Sequence, residues 1–215
     1  MRIAATSDLH GHLPPVPACD VLVIAGDITP ISDHSAAFQA HWLDTDFRRW
    51  LDAAPATHVV GIAGNHDFVF ERSPRSVPDD LPWTYLQDGA ATVAGLAFWG
   101  SPWTPWFYDW AFNAPRGDAE ERFLAQRCAG APEGTDVLVV HGPPDGYGDL
   151  TAGGVRTGSH AFLDAVDRVA PALALFGHIH EGRGTWTRGR TTLANLSAVD
   201  LDYALVAEPV ITFDL

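Results

Sequence analysis

Gly64-Asn65-His66-Asp67 sets an amide, an imidazole and a carboxylate in a row, directly after the apolar run His58-Val59-Val60-Gly61-Ile62-Ala63. Polar groups at the exit of a buried strand offset their desolvation only when each finds a partner. Alone, the tetrapeptide reads equally as a polar turn, since Gly and Asn are ordinary turn residues, or as a site. Four further apolar runs end in the same manner. Ile3-Ala4-Ala5 leads to Asp8 and His10, and Val21 to Ala25 leads to Gly26-Asp27. Val137 to Val140 leads to His141-Gly142, and Ala172 to Phe176 leads to Gly177-His178 and His180.

Each of these has a plainer reading when taken singly. Asp8 and His10 could cap a loop, Asp27 could cap a helix, and His141 could be a satisfied core histidine. His178 and His180, two apart on an extended segment, point the same way, which favours a metal. Together the strand ends offer Asp8, His10, Asp27, Asn65, His141, His178 and His180, with His66 beside them. Mixed oxygen and nitrogen donors suit Mn, Fe, Zn or Ni, whereas calcium takes nearly all oxygen. The set exceeds what one tetrahedral site needs; two ions sharing one carboxylate account for it. No Ser or Cys is arranged as a nucleophile.

Short runs of Val, Ile and Leu are the signature of strands buried on both faces. Between them lie helical patterns. From His34 to Ala53, Phe38, Trp42, Phe47, Trp50 and Leu51 fall on one stripe, and Pro55 closes the helix. Asp118 to Cys128 and His160 to Val169 are further helices, the latter opened by Ser159 as N-cap. Alternating strand and helix predicts an α/β architecture with ligands at the carboxyl ends of the strands. The last third departs from this. Thr185 to Arg188, Thr191 to Asn195 and Val210 to Phe213 read as strands, with a hairpin turn at Arg188-Gly189-Arg190. Phe68 to Asn113 reads as an irregular segment whose aromatics pack onto the core, one or two of them lining a pocket.

At 215 residues and 47% hydrophobic, the chain is expected to form a single domain over 1–215 with a substantial core. Its formal charge of −14, with 13 basic residues that are all Arg, opposes contact with a nucleic-acid polymer or an anionic membrane. Bound cations would suit such a surface. Cys19 and Cys128 are too few for a disulfide framework and match no metal spacing, so reduced, buried or half-buried thiols are expected. Only three apolar residues follow Met1-Arg2, too short for a signal peptide, and no run approaches the roughly 18 residues of a membrane span. A soluble cytoplasmic protein is the expectation.

Asp8-x-His10, Gly26-Asp27, Gly64-Asn65-His66-Asp67, His141-Gly142 and Gly177-His178-x-His180 resemble, in order, the five blocks of the calcineurin-like metallophosphoesterases. Gly100-Ser101-Pro102-Trp103-Thr104-Pro105, Trp110-Ala111-Phe112, His141-Gly142-Pro143-Pro144 and His180-Glu181-Gly182-Arg183-Gly184 are similar to the metallophosphoesterase-domain-containing protein 1 and 2 branch, near the class III cyclic-nucleotide phosphodiesterases. The resemblance implies a four-layer α/β/β/α sandwich with a dinuclear transition-metal centre. It implies one ion on Asp8, His10, Asp27 and His180, and a second on Asp27, Asn65, His141 and His178. His66 is then the acid at the leaving group, oriented by Asp67. Gly26-Asp27-Ile28-Thr29 lacks the Asp-Arg-Gly of phosphoprotein phosphatases, which argues against a phosphoprotein substrate. The implied activity is hydrolysis of a small phosphoester by hydroxide held between the ions, above all a diester such as a cyclic nucleotide. The alternative is a low-turnover nucleotide- or metal-binding scaffold on the same fold. Oligomeric state has no signature in the sequence.

Overall fold

A computed structural model describes all of residues 1–215. The chain begins with β1 (Arg2–Thr6) and β2 (Cys19–Ala25), then a helical run of α1 (Ala36–Trp42), a wide turn Leu43–Phe47 and α2 (Arg48–Ala53). β3 (Ala56–Ile62), α3 (Phe68–Arg72), β4 (Thr84–Tyr85), β5 (Gly89–Val93) and β6 (Leu96–Ser101) follow. The second half holds α4 (Glu120–Cys128), β7 (Val137–Val140), α5 (His160–Val169) and β8 (Leu173–Phe176). β9 (Gly184–Arg188), β10 (Thr191–Asn195) and β11 (Ile211–Asp214) close the chain.

The strands form two sheets, ordered β11-β1-β2-β3-β4 and β5-β6-β7-β8-β10-β9. Alternation along each strand explains why the central runs are apolar throughout. Val21, Val23 and Ala25 of β2 face inward to meet Val137, Val139, Leu173 and Leu175 of the other sheet. Leu22 and Ile24 face outward, onto Trp42, Leu43, Phe47 and Leu51 of the first helical run. In the second sheet Leu138, Val140, Ala174 and Phe176 pack on Leu124 of α4 and Phe162 and Val166 of α5. Helix, sheet, sheet, helix is therefore the layer order, and every central strand is buried on both faces. No helix is long and apolar enough to cross a membrane.

The expected helix over 34–53 starts two residues later, at Ala36, capped by Ser35 Oγ accepting from Phe38 N. Its wide turn at Leu43–Phe47 admits one extra residue, so Trp42 and Phe47, five apart, share the buried side. The hairpin at Gly189-Arg190 joins Arg188 to Thr191 as expected. The expectation of an irregular segment from Phe68 to Asn113 fails. It holds α3 and a β5–β6 hairpin turned by Ala94 and Gly95, both at positive φ. β5 is small-residue and half-exposed, so it lacks the apolar signature of its neighbours, and the fully buried Phe98 and Trp99 belong to β6.

The five polar strand ends come from both sheets of the expected sandwich: β1, β2 and β3 end in the first, β7 and β8 in the second. The sheets converge there through Ser7 N donating to Leu196 O and Ala198 N donating to Ser7 O. That convergence brings all five ends to one place.

Candidate metal centre

Asp27 follows β2 and stands at the centre of the cluster. Its Oδ1 accepts from His66 N at 2.7 Å, which leaves Oδ2 facing three imidazoles. His141 Nε2 lies 3.3 Å from Oδ2, His10 Nε2 3.7 Å and His66 Nε2 4.0 Å. His178 joins Asp27 and His141 in one group of donors, and Asp8, His10 and His180 make another. His10 Nε2 and His180 Nε2 are 3.2 Å apart, and His180 Nε2 is 3.6 Å from Asp8 Oδ1. Asn65 Oδ1 sits 2.9 Å from His141 Nε2. All seven expected donors, with His66, thus occupy one continuous patch.

Backbone carbonyls select the ring nitrogen that faces the patch. Ala25 O can only accept, so His141 Nδ1–H donates to it at 2.9 Å. His180 Nδ1–H likewise donates to Asp200 O at 3.0 Å. With Nδ1 so engaged, it is Nε2 that faces the cluster, and once its proton is lost that nitrogen offers a lone pair, as metal-ligating histidines do.

The local backbone is strained where these side chains are mounted. Asp8, His10, Asp27 and His178 have φ of 53°, 44°, 52° and 70°. Left-handed conformations in non-glycine residues cost of order 1 kcal/mol or more each and collect at functional sites. Gly64 is an ordinary turn residue by type, but backbone freedom is not what it supplies. Its φ is not among the positive ones, and its role is space: a Cβ there would overlap Asp27 Oδ1 and stand 2.7 Å from His141 Cε1. Gly177 does the same beneath Asp8, where a Cβ would overlap the carboxylate and Ser7 Oγ.

The charges are arranged for cations. Burial acts against the Asp27 carboxylate, but His141, His66 and His10 around it hold its pKa well below the usual range. Burial pushes His10 down to about 4 and His178 to about 4, leaving neutral rings. Burial also acts against a proton on His141, yet Asp27 beside it raises that ring to about 9. His10 Nδ1 and His66 Nδ1 are buried without a hydrogen-bond partner.

The donor set fits two transition-metal ions. A donor about 2.0–2.2 Å from an ion lies about 3–3.6 Å from the next ligand of the same ion. The separations of 2.9 to 3.7 Å among Asn65, His141, Asp27, His10, His180 and Asp8 have that spacing. His180 Nε2, its Nδ1–H given to Asp200 O, faces His10 Nε2 at 3.2 Å as a lone pair open to a cation or to His10 Nε2–H.

Asp67 departs from its expected place. Its carboxylate does not reach the His66 ring; it accepts from Gly64 N, Ile28 N, Thr29 N and Thr29 Oγ1. Asp67 thereby ties the loop after Asp27 to the Gly64–Asp67 turn. Two residues that sequence reasoning passed over hold His66 instead. Gln39, on α1 and fully buried, donates from Nε2 to His66 O at 2.8 Å and accepts from Val69 N at 2.9 Å. Thr29 Oγ1 reaches the same carbonyl and Asp67. A buried amide inside an otherwise amphipathic stripe was the available signal. The His66 ring is walled by Trp110 at 3.8 Å, His10 at 4.7 Å and His34 at 5.4 Å between centroids.

Above the patch opens a cavity of about 310 Å³. Asp27, Asn65, His66, His178 and His180 form its floor, while Trp106, Phe107, Trp110, Leu201 and Tyr203 stand around it. Of the aromatics between Phe98 and Trp110, the ones at the cavity are therefore Trp106, Phe107 and Trp110. Glu181 lines one side and accepts from Ala152 N. His12 donates to Tyr203 O at 2.9 Å, so it supports a wall rather than floating in solvent.

Residues 1–182 match the sequence profile described as calcineurin-like phosphoesterase. The chain is 35% identical to human metallophosphoesterase domain-containing protein 1, over 98% of its own length and 70% of that protein. It is 30% identical to UPF0046 protein K07C11.7 of Caenorhabditis elegans, covering 99% of this chain and 75% of the relative. In three dimensions it is similar to TT1561 of Thermus thermophilus, with a TM-score of 0.57 at 17% identity, over 99% of this chain and 98% of that one.

Proposed function

This chain belongs to the calcineurin-like phosphoesterase family, and from that premise we propose that it is a metal-dependent phosphodiesterase acting on small substrates such as cyclic nucleotides. One observation carries the choice of diester. The cavity over the metal-ligand patch contains no Lys or Arg, so a substrate's negative charge has only the cations to meet. A diester brings one charge at neutral pH; a monoester or a phosphoprotein brings about two.

In this reading Asp8, His10, Asp27 and His180 hold one ion, and Asp27, Asn65, His141 and His178 the other, with Mn, Fe, Zn or Ni all compatible with the donors. When bound, such a pair supplies Lewis acidity to the phosphoryl oxygens and hydroxide near neutral pH. The chain's own part is positioning. Asp27 is shared because its Oδ2 faces His10 and His141 together. His66 stands at the cavity floor with Nε2 toward the reacting centre and is the group placed to protonate the departing alkoxide. Burial pushes its pKa down to about 3, against the pull of the Asp27 carboxylate beside it. Trp110 packs on that ring at a tilt of 52°, with 3.8 Å between centroids, and so helps fix its orientation.

The test is hydrolysis of bis(p-nitrophenyl) phosphate with added manganese. Wild-type protein is expected to turn over and Asp27→Ala to be inactive. His66→Ala should lose about 10²–10⁴-fold in kcat on a diester with an alkyl leaving group, whose alkoxide needs the proton, and much less on the p-nitrophenyl ester. Wild-type turnover no greater than that of Asp27→Ala rejects the reading. Nucleotide binding without turnover under any of these metals would move the protein to a binding role.

A further inference from the structure

The cavity above Asp27 is polar at its floor, and two of its walls are apolar, with Thr151, Thr157 and Glu181 lining it elsewhere. Trp106 and Phe107 come from the loop between β6 and α4; Leu201 and Tyr203 come from the loop between β10 and β11. Both loops are built to stay in place. Asn113 Oδ1 accepts from Phe107 N, and its amide donates to the carbonyls of Phe107 and Tyr108. Glu120 accepts from Trp106 N at 2.7 Å. On the opposite side Asp200 Oδ1 accepts from Asp202 N and Ala204 N, and Tyr203 is held at φ 58°. The Tyr203 ring packs edge-on against His10 at 4.9 Å and His180 at 5.3 Å, so this wall is continuous with the metal-ligand patch.

The outer parts of the two walls are open to solvent: Phe107, whose ring meets only the exposed Tyr108 edge-on at 4.5 Å, is 52% exposed and Leu201 is 56% exposed. Apolar groups facing each other across a cavity favour an occupant that is itself apolar, and aromatic ones favour a flat one. Charge decides what the occupant may not carry. The ionisable residues lining the cavity are Asp27, His66, His178, His180 and Glu181, with no permanent cation among them. Arg116 stacks over the Trp106 ring without lining the cavity, so a second anion inside it would be desolvated opposite Glu181 with no cation among the lining residues.

We propose that these walls form a specificity slot for one ester group of the substrate, that this group is flat, apolar and uncharged, and that substrates bearing a second anionic group are turned away. The proposal rests on the phosphoester reading of the floor. It narrows that reading to singly charged phosphoesters with an aryl-like or heteroaromatic ester group. Nucleoside polyphosphates and phosphopeptides fall outside the class.

Phosphinates test the slot without turnover, because their carbon–phosphorus bonds do not hydrolyse. With the manganese-loaded protein, calorimetry should find diphenylphosphinate bound at least about tenfold more tightly than dimethylphosphinate, which has the same charge. A diphenylphosphinate with a carboxylate on one ring should bind at least about tenfold more weakly than the unsubstituted acid. In the Phe107→Ala, Leu201→Ala double variant the diphenyl-to-dimethyl ratio should fall below about threefold. Both side chains are more than half exposed, so the variant keeps its fold, and circular dichroism checks this. Equal affinities for the two phosphinates, no penalty for the carboxylate, or an undiminished ratio in the variant would overturn the slot. The floor is read separately with bis(p-nitrophenyl) phosphate. A phosphinate preference without hydrolysis rejects the catalytic reading and keeps the slot; hydrolysis without a preference does the reverse.

Discussion

His141 Nε2 lies 3.3 Å from Asp27 Oδ2 while its Nδ1 donates to Ala25 O, two residues before Asp27. One imidazole from the second sheet is thereby clamped at both nitrogens by the end of β2 in the first. The strand ends of two sheets share a site because this ring spans the gap between them.

Asp27→Asn keeps the size and removes the charge that His10, His66 and His141 face. Metal content, measured on purified protein, is expected to fall from two ions per chain to fewer than one. Phosphodiester turnover should drop by at least about 10³-fold. A variant that retains two ions places the bridging role elsewhere.

Metal affinity should rise with pH. Burial opposes a proton on His141, but Asp27 lifts its pKa to about 9, so the ion-free protein carries that proton at neutral pH. Metal binding must release it, since the ligand form of His is neutral. Below about pH 9 the free protein binds more protons than the loaded one, so apparent affinity climbs with pH and levels off above. Calorimetric titrations at pH 6, 7 and 8 in buffers of different ionisation enthalpy check both the trend and the released proton.

Gln39→Leu removes the amide that bridges His66 O and Val69 N. Leaving those groups unpaired in the core should cost about 1–3 kcal/mol of stability in urea unfolding. Because Gln39 touches neither the cavity nor a ligand, metal content should hold while kcat falls more than KM changes. An unchanged kcat would make Gln39 a folding residue only.

Gly64→Ala tests close approach rather than backbone freedom. The added methyl would overlap Asp27 Oδ1 and crowd His141, so the Asp27 and Asn65 loops must part. A destabilisation of at least about 1–3 kcal/mol together with loss of bound metal is expected. Normal metal content in a stable variant would show that the two loops can move apart freely.

Burial pushes the Cys128 thiol up to about 12 and raises Cys19 to a lesser degree, the latter being only half-buried. A disulfide reagent at pH 8 should label Cys19 slowly in the folded protein and Cys128 only with unfolding. Fast labelling of both would contradict the burial of α4.

The donors themselves were legible along the chain, because each stands directly after an apolar run and such runs are local. Asp8, His10, Asp27, Asn65, His141, His178 and His180 needed only strand periodicity and residue type to be found. That the central strands need cover on both faces was legible too, whereas the four-layer order came from the resemblance of the five blocks. The β5–β6 hairpin was not, because Gly89–Val93 is an edge strand of small residues whose partner, not its own pattern, makes it a strand. Tertiary structure alone decided three further matters. Asp67 binds Thr29 and Gly64 and leaves the His66 ring to Trp110. Gly64 and Gly177 serve by vacancy next to carboxylates from distant strands. Tyr203 and Leu201 close the cavity opposite Trp106 and Phe107, far away along the chain. Donor chemistry is written residue by residue, whereas orientation, clearance and the pairing of walls are set by where two sheets converge, which no local pattern encodes.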